Sequence, residues 1–303
     1  MSWQIAIKGY KNYLKLEKSL AAHSVDAYEQ DVLKLAKYSE ISGKNKAPSQ
    51  MELSDLRDFL AFVNELGLSA TSQSRIISGI RGFYRYLLLE NEIKKDPTEL
   101  LEMPKTGRKL PDTLNYAEIN AIIEAIDRSQ PDGERSKAII ETLYSCGLRV
   151  SELCDLKLSQ IFFQDGFIRV IGKGNKERLV PIGERALAQI ERYKEQMRNH
   201  LDIKKGQEDF VFLNRQGSRL SRVSVFTLIK KLAVQAGIKK TISPHTFRHS
   251  FASHLVENGA DLRAVQEMLG HESITTTEIY THLDRKFLRD TIMQFHPRSG
   301  KSK

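Results

Sequence analysis

Apolar residues recur every three or four positions along the first third of the chain, which is the spacing of one face of an α-helix. Three such sets are Tyr28, Val32 and Leu35; Leu56, Phe59, Leu60 and Val63; and Ile76, Ile80, Phe83, Tyr84, Leu87 and Leu88. Ser24 is the predicted N-cap of the first set, and breaks at 43–48 and 67–69 separate the three sets. With the opening segment, the pattern predicts about four helices around one small core.

The amino-acid composition then changes, with three prolines at positions 97 to 111 and a cluster of basic residues. Proline removes a backbone donor and stiffens the chain, so 94–112 is predicted to be a linker between a helical domain, 1–93, and a second domain, 113–303. The alternative is a long surface loop inside one domain. The linker is favoured because helices resume cleanly after it, where Asn115 and Glu118 resemble a capping box.

The second part mixes strands with helices. The segment QIFFQDGFIRVIGKGNKERLVPIG contains three short β-rich runs separated by the turns QDG and GKGNK, and this predicts a three-stranded antiparallel meander. Helical patterns cover 139–145, a segment after Gly147, and 184–197, 223–236, 245–257, 262–269, 275–282 and 284–295. The predicted fold class is mainly α with a small antiparallel β-sheet.

Length and composition agree with this two-domain organisation. The chain has 303 residues, of which 40% are hydrophobic and 28% charged, an ordinary globular composition. No apolar run is long enough to span a bilayer, and lysines interrupt the opening segment, so neither a membrane anchor nor a secretory signal is predicted. Cys146 and Cys154 form no CxxC pair and no disulfide framework, which fits a reducing cytoplasm and predicts a cytoplasmic protein.

The positive charge is concentrated in one part of the chain. Residues 1–105 contain 15 basic and 14 acidic side chains, and 106–303 contain 32 and 24, so the two parts carry +1 and +8 of the net charge of +9. A concentrated basic excess indicates an anionic partner, with nucleic acid as the leading candidate. A solubilising surface is the alternative explanation of the charge alone.

Familiar enzyme motifs are mostly missing. The chain has no GxSxG or GxGxxG sequence, and IGKGNKER does not fit a phosphate-binding P-loop. His245 and His249 lie four apart on a predicted helix, but Thr246, Phe247 and Arg248 stand between them, without the glutamate of an HExxH zinc site. An arginine beside a cation is unfavourable, so neither a metal nor a cofactor is expected.

A different set of residues has a coherent chemistry. It comprises Arg149, Lys173, His245, Arg248, His271 and Tyr280, all in the basic part of the chain. Two guanidiniums can hold a phosphodiester and offset charge that develops on its oxygens. A tyrosine hydroxyl can attack the phosphorus if a base or a cationic field assists it, and a lysine can protonate the leaving oxygen.

Each of these residues also has an ordinary structural explanation. Arg149 could cap a helix or pair with Glu152, and Lys173 could be a charged turn residue. Either histidine could be a satisfied buried ring, and most tyrosines serve packing. Spacing along the sequence alone does not show that these segments meet in space.

Five motif strings resemble the tyrosine recombinase (phage integrase) family, and within it the bacterial Xer type, the XerD-like members most of all. These strings are CGLRVSEL, VIGKGNKERLVPIG, HTFRHSFASHL, GADLRAVQEMLGH and TTTEIYTH, which stand in the family's order. The ending FHPR is also similar to Xer sequences. The resemblance covers both parts of the chain, and it implies a helical core-binding domain followed by a mixed α/β catalytic domain.

The resemblance also implies a role for each of the six residues. Arg149 and Arg248 match the two arginines that clamp the scissile phosphate, and Lys173 matches the hairpin lysine that protonates the 5′-oxygen. His245 matches the residue three before the second arginine, and His271 matches a position that supports phosphate binding. Tyr280 matches the nucleophile that forms a 3′-phosphotyrosyl link. Lys176 lies in the same turn as Lys173, and chemistry alone does not exclude it.

The function that follows is site-specific recombination of double-stranded DNA by four protomers in a cyclic tetramer. The resemblance implies resolution of chromosome dimers at a dif-like site for segregation at cell division. The partners it implies are a second related recombinase or further copies of this chain, with a DNA translocase as a further expected partner. It also implies that the apolar face of 284–295 docks on a neighbouring protomer rather than on its own domain.

Three other functions compete with this interpretation. A type IB topoisomerase shares the phosphotyrosine chemistry but not the Xer-like first domain. A mobile-element integrase shares the fold, but it would often carry an additional arm-binding domain, for which no room is expected before Trp3. A non-catalytic architectural DNA-binding protein would not need the complete set of six residues.

Overall fold

The computed structural model of the chain describes residues 1–104, 112–172, 176–270 and 282–299, with the backbone alone at 282–284. The chain divides into two compact units, 1–109 and 110–303. Among the helices of the described ranges, none is both long enough and apolar enough to cross a bilayer.

The first unit contains the four predicted helices: α1 (Trp3–Leu16), α2 (Ala22–Ile41), α3 (Leu53–Glu65) and α4 (Ala70–Leu89). Their apolar faces enclose one core, in which Tyr10, Leu35, Phe59 and Phe83 are almost completely buried. Leu101, inside the predicted linker, packs into the same core, and the Arg81 guanidinium donates to its carbonyl oxygen.

The prediction that Ser24 caps α2 is wrong. Ala21 has the extended conformation of an N-cap, with φ −60° and ψ 144°, and the helix begins at Ala22. Ser24 therefore lies in the first turn, where its backbone N–H donates to the Ala21 carbonyl at 2.8 Å. Ala22 is a strong helix former, so the helix begins ahead of the apolar pattern although Ala21 provides no side-chain cap.

The second unit combines eight described helices with a small sheet. The helices are α5 (Tyr116–Glu124), α6 (Gly133–Cys146), α7 (Val150–Asp155), α8 (Glu184–Gln196), α9 (Arg222–Gln235), α10 (Pro244–Glu257), α11 (Leu262–Leu269) and α12 (His282–Phe295). Asn115 and Glu118 form the predicted capping box at the start of α5, with side-chain bonds of 2.9 and 2.8 Å to each other's backbone N–H. The helix predicted at 275–282 lies almost entirely outside the described residues.

The sheet is the predicted antiparallel meander of β1 (Ile161–Phe162), β2 (Phe167–Ile171) and β3 (Glu177–Pro181), in that order. Ile168 of β2 pairs with Ile161 on one side and with Val180 on the other, so this apolar row faces the core. The Gly172 N–H donates to the Lys176 carbonyl at 2.8 Å and closes the β2–β3 turn. The mainly α fold with a small antiparallel sheet is confirmed.

Helix α6 begins at Gly133, six residues before the predicted start at 139. The additional turns contain Glu134 and Ser136, and both side chains are buried although they are polar. Glu134 is satisfied there because its carboxylate accepts from Arg128 and Gln189, each at 2.6 Å. A pattern of apolar residues alone cannot mark a buried face that includes paired polar groups.

The last helix, α12, packs on its own unit in this single chain, and the expected docking of this helix on a neighbouring protomer stays a prediction. Leu288 and Ile292 are fully buried in the second core, whereas Phe287 on the other side of the helix is 52% exposed. The residues that follow are also anchored in the same unit, since the Arg298 guanidinium donates to the Glu141 carboxylate and to Asn120. The apolar surface that suggested a partner is partly covered within the chain itself.

His296, which follows α12, is a buried neutral imidazole. Its Nε2 lies 3.3 Å from the Tyr144 carbonyl oxygen, and its Nδ1 accepts from the Arg298 backbone N–H at 3.2 Å. The ring packs against Tyr144 and Phe251, with centroids 4.7 and 5.6 Å away. Burial lowers the pKa of His296 to about 3. A second proton on Nδ1 would point at the Arg298 N–H, so the neutral form with the proton on Nε2 fits this position.

We expect this histidine to make the second unit acid-sensitive. The pKa of His296 in the folded state is below its unfolded value of about 6.5, so the unfolded chain binds the proton first as the pH falls. The contribution of His296 to the free energy of unfolding is therefore fully present above about pH 6.5 and is lost as the pH falls below that value. Each such group lowers the free energy of unfolding by about 1.4 kcal/mol per pH unit between about pH 6 and 5. His296→Gln should reduce this slope in denaturant titrations, and the exposed His200→Gln should not. An unchanged slope in His296→Gln would show that His296 does not carry the effect.

Candidate active site

The candidate site of the second unit lies at the turn between the end of α6 and the start of α7. Gly147 ends α6 in the left-handed region, with φ +57°, and a Cβ there would lie 2.5 Å from the Phe251 ring. Only glycine fits this turn without strain and without displacing Phe251. Arg149 follows as the N-cap of α7, in extended conformation, so its side chain leaves the turn between α6 and α7.

Arg248, on α10, is buried, and its guanidinium spans two other elements. Nη1 donates to the Gly147 carbonyl at 2.9 Å, and Nη2 donates to the Leu269 carbonyl at 2.6 Å, at the end of α11. Burial and the nearby positive charge of Arg149 lower the pKa of Arg248 to about 10. The side chain therefore keeps its charge at neutral pH, held in a fixed position by backbone carbonyls.

Arg149 lies beside Arg248 and is partly open to solvent, with 37% of its side chain exposed. Nη1 donates to Glu152 Oε1 at 2.9 Å, and Nη2 donates to the Gly270 carbonyl at 3.3 Å. Of the two structural explanations considered for this arginine, pairing with Glu152 is present, whereas its side chain makes no capping hydrogen bond although Arg149 stands at the N-cap position. These contacts fix the position of the Arg149 guanidinium. Its exposed part keeps N–H donors that can bind an anion.

His245 lies one turn before Arg248 on α10 and is exposed at the surface. Partial burial and the neighbouring positive charges of His249, Arg248 and Arg149 lower the pKa of His245 below its usual range. The imidazole is therefore neutral at pH 7, and a neutral ring nitrogen can accept a proton. The structure thus brings together three of the six predicted residues: two cations and one proton acceptor.

Two residues at this site were missed by the sequence reasoning as functional candidates. Glu152, 6% exposed, accepts from the side chain and the backbone N–H of Arg149. Arg178 of β3, also 6% exposed, donates to both Glu152 oxygens at 2.9 and 2.8 Å. The period of two in β3 offered a signal, because Arg178 shares a strand face with the buried Val180.

Lys173, His271 and Tyr280 lie outside the described residues, so their predicted roles stay predictions. The residues that precede two of them are described. Gly172 precedes Lys173, and Gly270, in the left-handed region with φ +66°, precedes His271. Cβ atoms at these two glycines would lie 3.5 and 3.1 Å from the Arg178 side chain. Lys176, the alternative to Lys173, is exposed at the other end of the turn.

No three His, Cys, Asp or Glu side chains of the described ranges are grouped so that they could hold a metal ion. The charges that converge at this site are positive, apart from the buried Glu152. An arrangement of this kind binds an anion and stabilises negative charge that develops on it. A phosphodiester with the two guanidiniums on its oxygens fits this chemistry.

Two family models together match most of the chain. Residues 112–286 match the Phage integrase family, and residues 7–91 match the Phage integrase, N-terminal SAM-like domain. The Tyrosine recombinase XerD of Listeria monocytogenes is 42% identical over 293 residues, covering 97% of this chain and 99% of that protein. The Tyrosine recombinase XerD of Staphylococcus aureus is 43% identical over 296 residues, with the same coverage.

Solved structures agree with these sequence matches. The XerH site-specific recombinase bound to a palindromic difH substrate, in a post-cleavage complex, is 26% identical, with a TM-score of 0.70 over 91% of this chain and 81% of that one. A lambda integrase dimer bound to a COC′ core site has a TM-score of 0.71 over 92% of this chain and 100% of that one. At 20% identity, the second likeness concerns the fold alone.

Proposed function

The chain belongs to the phage integrase family of tyrosine recombinases, and on that premise we propose that it cuts and rejoins DNA at a specific site through a 3′-phosphotyrosine intermediate. The observation that carries the proposal is the convergence of Arg149 and Arg248 from separate elements, beside the neutral His245. Two fixed guanidiniums match the two non-bridging oxygens of a phosphodiester, and they offset the charge that develops on those oxygens during attack.

The proposed step exchanges one ester for another. Tyr280 Oη attacks the phosphorus while its proton passes to a base, for which the neutral His245 is suited. The bond between phosphorus and the 5′-oxygen breaks, and Lys173 gives that oxygen a proton, which leaves a free 5′-hydroxyl and a 3′-phosphotyrosine. His271 supports the phosphate. Attack by another strand's 5′-hydroxyl reverses the step, and because the number of phosphoester bonds is conserved, the exchange requires no ATP.

The two units divide the work of binding and of catalysis. We assign 1–93 as a core-binding domain, 94–112 as the linker and 113–303 as the catalytic domain, with double-stranded DNA as the partner. The basic excess in the second part of the chain favours phosphate contacts as the main source of affinity, with limited base readout. Four protomers, either copies of this chain or paired with a second related recombinase, would hold two duplexes in a cyclic complex.

For the cellular role, we propose resolution of chromosome dimers at a dif-like site during cell division, in the cytoplasm and under control by a DNA translocase. The support is the identity of 42–43% across nearly the whole length of proteins named XerD. The alternative is the integrase or transposase of a mobile element. The integrase of the Tn1549 transposon is 20% identical, and this likeness concerns the fold alone.

Mapping the covalently trapped protein on the genome separates these two roles. Cells that express the full chain would be lysed in denaturant, and the DNA attached to the protein sequenced. We expect one chromosomal site with two inverted arms, present also in cells without mobile elements, and no signal from a Tyr280→Phe control. Attachment confined to the ends of a mobile element would contradict the proposed chromosomal role and support the alternative.

A further inference from the structure

We propose that Arg178 is a positioning residue for DNA cleavage, which acts through Glu152 to hold Arg149 available to the scissile phosphate. The inference rests on the proposed function and concerns the same site. Arg178 itself does not reach solvent, because only 6% of its side chain is exposed, so it is not a candidate for direct contact with DNA. Its contacts instead join three elements of the site.

The first contact is a bidentate ion pair with Glu152, which is 3% exposed at its side chain. Arg178 Nη1 and Nη2 donate to Oε1 and Oε2 at 2.9 and 2.8 Å. The same two oxygens accept from Arg149, Oε1 from Nη1 at 2.9 Å and Oε2 from the backbone N–H at 2.8 Å. Glu152 is therefore shared evenly between the two arginines, with a pair of hydrogen bonds from each.

The sharing determines how much positive charge Arg149 can offer to an anion. One carboxylate beside one guanidinium would form a neutral pair with little affinity for a phosphate. A second guanidinium on the same carboxylate gives the trio a net charge of +1, and only Arg149 of the two arginines is open to solvent. Although burial raises the pKa of Glu152, hydrogen bonding to Arg178 and its charge keep that pKa below its usual range, so the carboxylate stays ionised.

The second contact of Arg178 is with the end of α11. Its Nε donates to the Met268 carbonyl at 2.8 Å, while Arg248 and Arg149 donate to the carbonyls of the next two residues, Leu269 and Gly270. Three guanidiniums thus hold three successive carbonyls at the negative end of a helix. Removal of Arg178 would leave a buried carbonyl and a buried carboxylate short of donors, and Glu152 would draw Arg149 toward itself.

A purely structural role for the Arg178–Glu152 pair predicts a different outcome, namely lost stability without a specific effect on the phosphate. The test therefore uses two duplex substrates: one with an ordinary scissile phosphodiester, and one with a methylphosphonate, in which a methyl group replaces one charged oxygen. A neutral methylphosphonate has less need of a guanidinium, so it should compensate for a poorly presented Arg149 but not for a general loss of structure.

The variants are Arg178→Met, Arg178→Lys and the control Arg198→Met. Arg198 is also buried, with 4% exposed, but it donates to the backbone carbonyls of Glu208 and Phe210. These residues are remote in sequence from Arg149 and Arg248. Arg178→Lys keeps a counter-charge for Glu152, and it serves as the test variant if Arg178→Met does not fold. For each variant, thermal unfolding, DNA affinity and the rate of covalent cleavage at saturating DNA are measured.

We expect Arg178→Met to bind DNA with nearly wild-type affinity and to cleave the phosphodiester about 100-fold more slowly, because a misplaced catalytic group costs about that factor. On the methylphosphonate, the deficit relative to wild type should shrink at least about tenfold, as it should for Arg149→Ala. Arg178→Lys should show a smaller deficit with the same dependence on the substrate. Arg198→Met should show no difference between the two substrates.

The role of Arg178 would be overturned if the folded Arg178 variants lost the same factor in cleavage rate on both substrates, or if they cleaved at the wild-type rate. Either result would leave the proposed function intact. A substrate-dependent deficit in Arg198→Met would overturn the role of Arg178 as well. Failure of the wild-type protein itself to cleave its DNA site would instead count against the proposed function.

Discussion

Tyr280→Phe should abolish covalent attachment to DNA while leaving the fold and the affinity for DNA nearly unchanged. The substitution removes one oxygen, and that oxygen is the atom that would form the bond to phosphorus. Without it, no phosphotyrosine can form, so the loss should be complete rather than partial. The measurement is a suicide duplex, nicked so that the cleaved fragment diffuses away, followed by denaturing electrophoresis.

The matched control is Tyr116→Phe, which removes the same oxygen from a tyrosine that is 38% exposed at the start of α5. This variant should form the adduct as the wild type does. Gel-shift binding and circular dichroism are measured for both variants. A denaturant-resistant adduct in Tyr280→Phe would show that another residue is the nucleophile.

Lys173→Ala should slow cleavage far more than it weakens DNA binding. A positioned proton donor contributes about 10²–10⁴-fold to the rate, whereas the loss of one positive charge among many phosphate contacts changes the affinity for DNA much less. A substrate in which sulfur replaces the 5′-bridging oxygen has a better leaving group that needs little protonation. Cleavage of this substrate by Lys173→Ala should therefore approach that of the wild type, measured as single-turnover rates.

Two further variants make this test specific. Arg248→Ala loses a contact with the non-bridging oxygens and should not be rescued by the sulfur substrate, because its defect does not concern the leaving group. Lys176→Ala compares the other lysine of the same turn, and it should cleave both substrates nearly as the wild type does. Rescue of Lys176→Ala instead of Lys173→Ala would assign the acid to Lys176.

The sequence predicted most of the helices and strands because apolar residues recur along each of them with the period of that element. The meander was predicted from three β-rich runs and two turns, and α11 was predicted with the observed bounds of Leu262–Leu269. Both cases depend on local signals: alternation and turn residues in the sheet, a one-sided apolar stripe in the helix. The same reasoning misplaced the start of α6, where the buried face contains the paired Glu134.

The candidate site was predictable in part for a similar reason. Arg149, His245 and Arg248 were identified from chemistry and from the family motifs, and the structure brings them together. Arg178 and Glu152 were not, because a charged residue is normally solvated, and nothing local shows that two such residues 26 positions apart neutralise each other inside a core.

The final helix shows a different limit of sequence reasoning. An apolar stripe indicates that a helix covers something, but it does not say whether the covered surface belongs to the same chain. In this single chain, Leu288 and Ile292 pack into the second core, and Arg298 adds an anchor on Glu141 beyond the helix, whereas docking on a neighbouring protomer stays a prediction.

The most direct test of the phosphotyrosine mechanism is the chemical identity of the covalent adduct. The wild-type protein would be trapped on a suicide duplex, the DNA digested to a short remnant, and the tryptic peptides sequenced by tandem mass spectrometry. The account predicts one modified residue, Tyr280, carrying a nucleotide through its 3′-phosphate, together with a released strand that has a free 5′-hydroxyl. A nucleotide on any other residue, attachment through a 5′-phosphate, or cleavage without any adduct would contradict it.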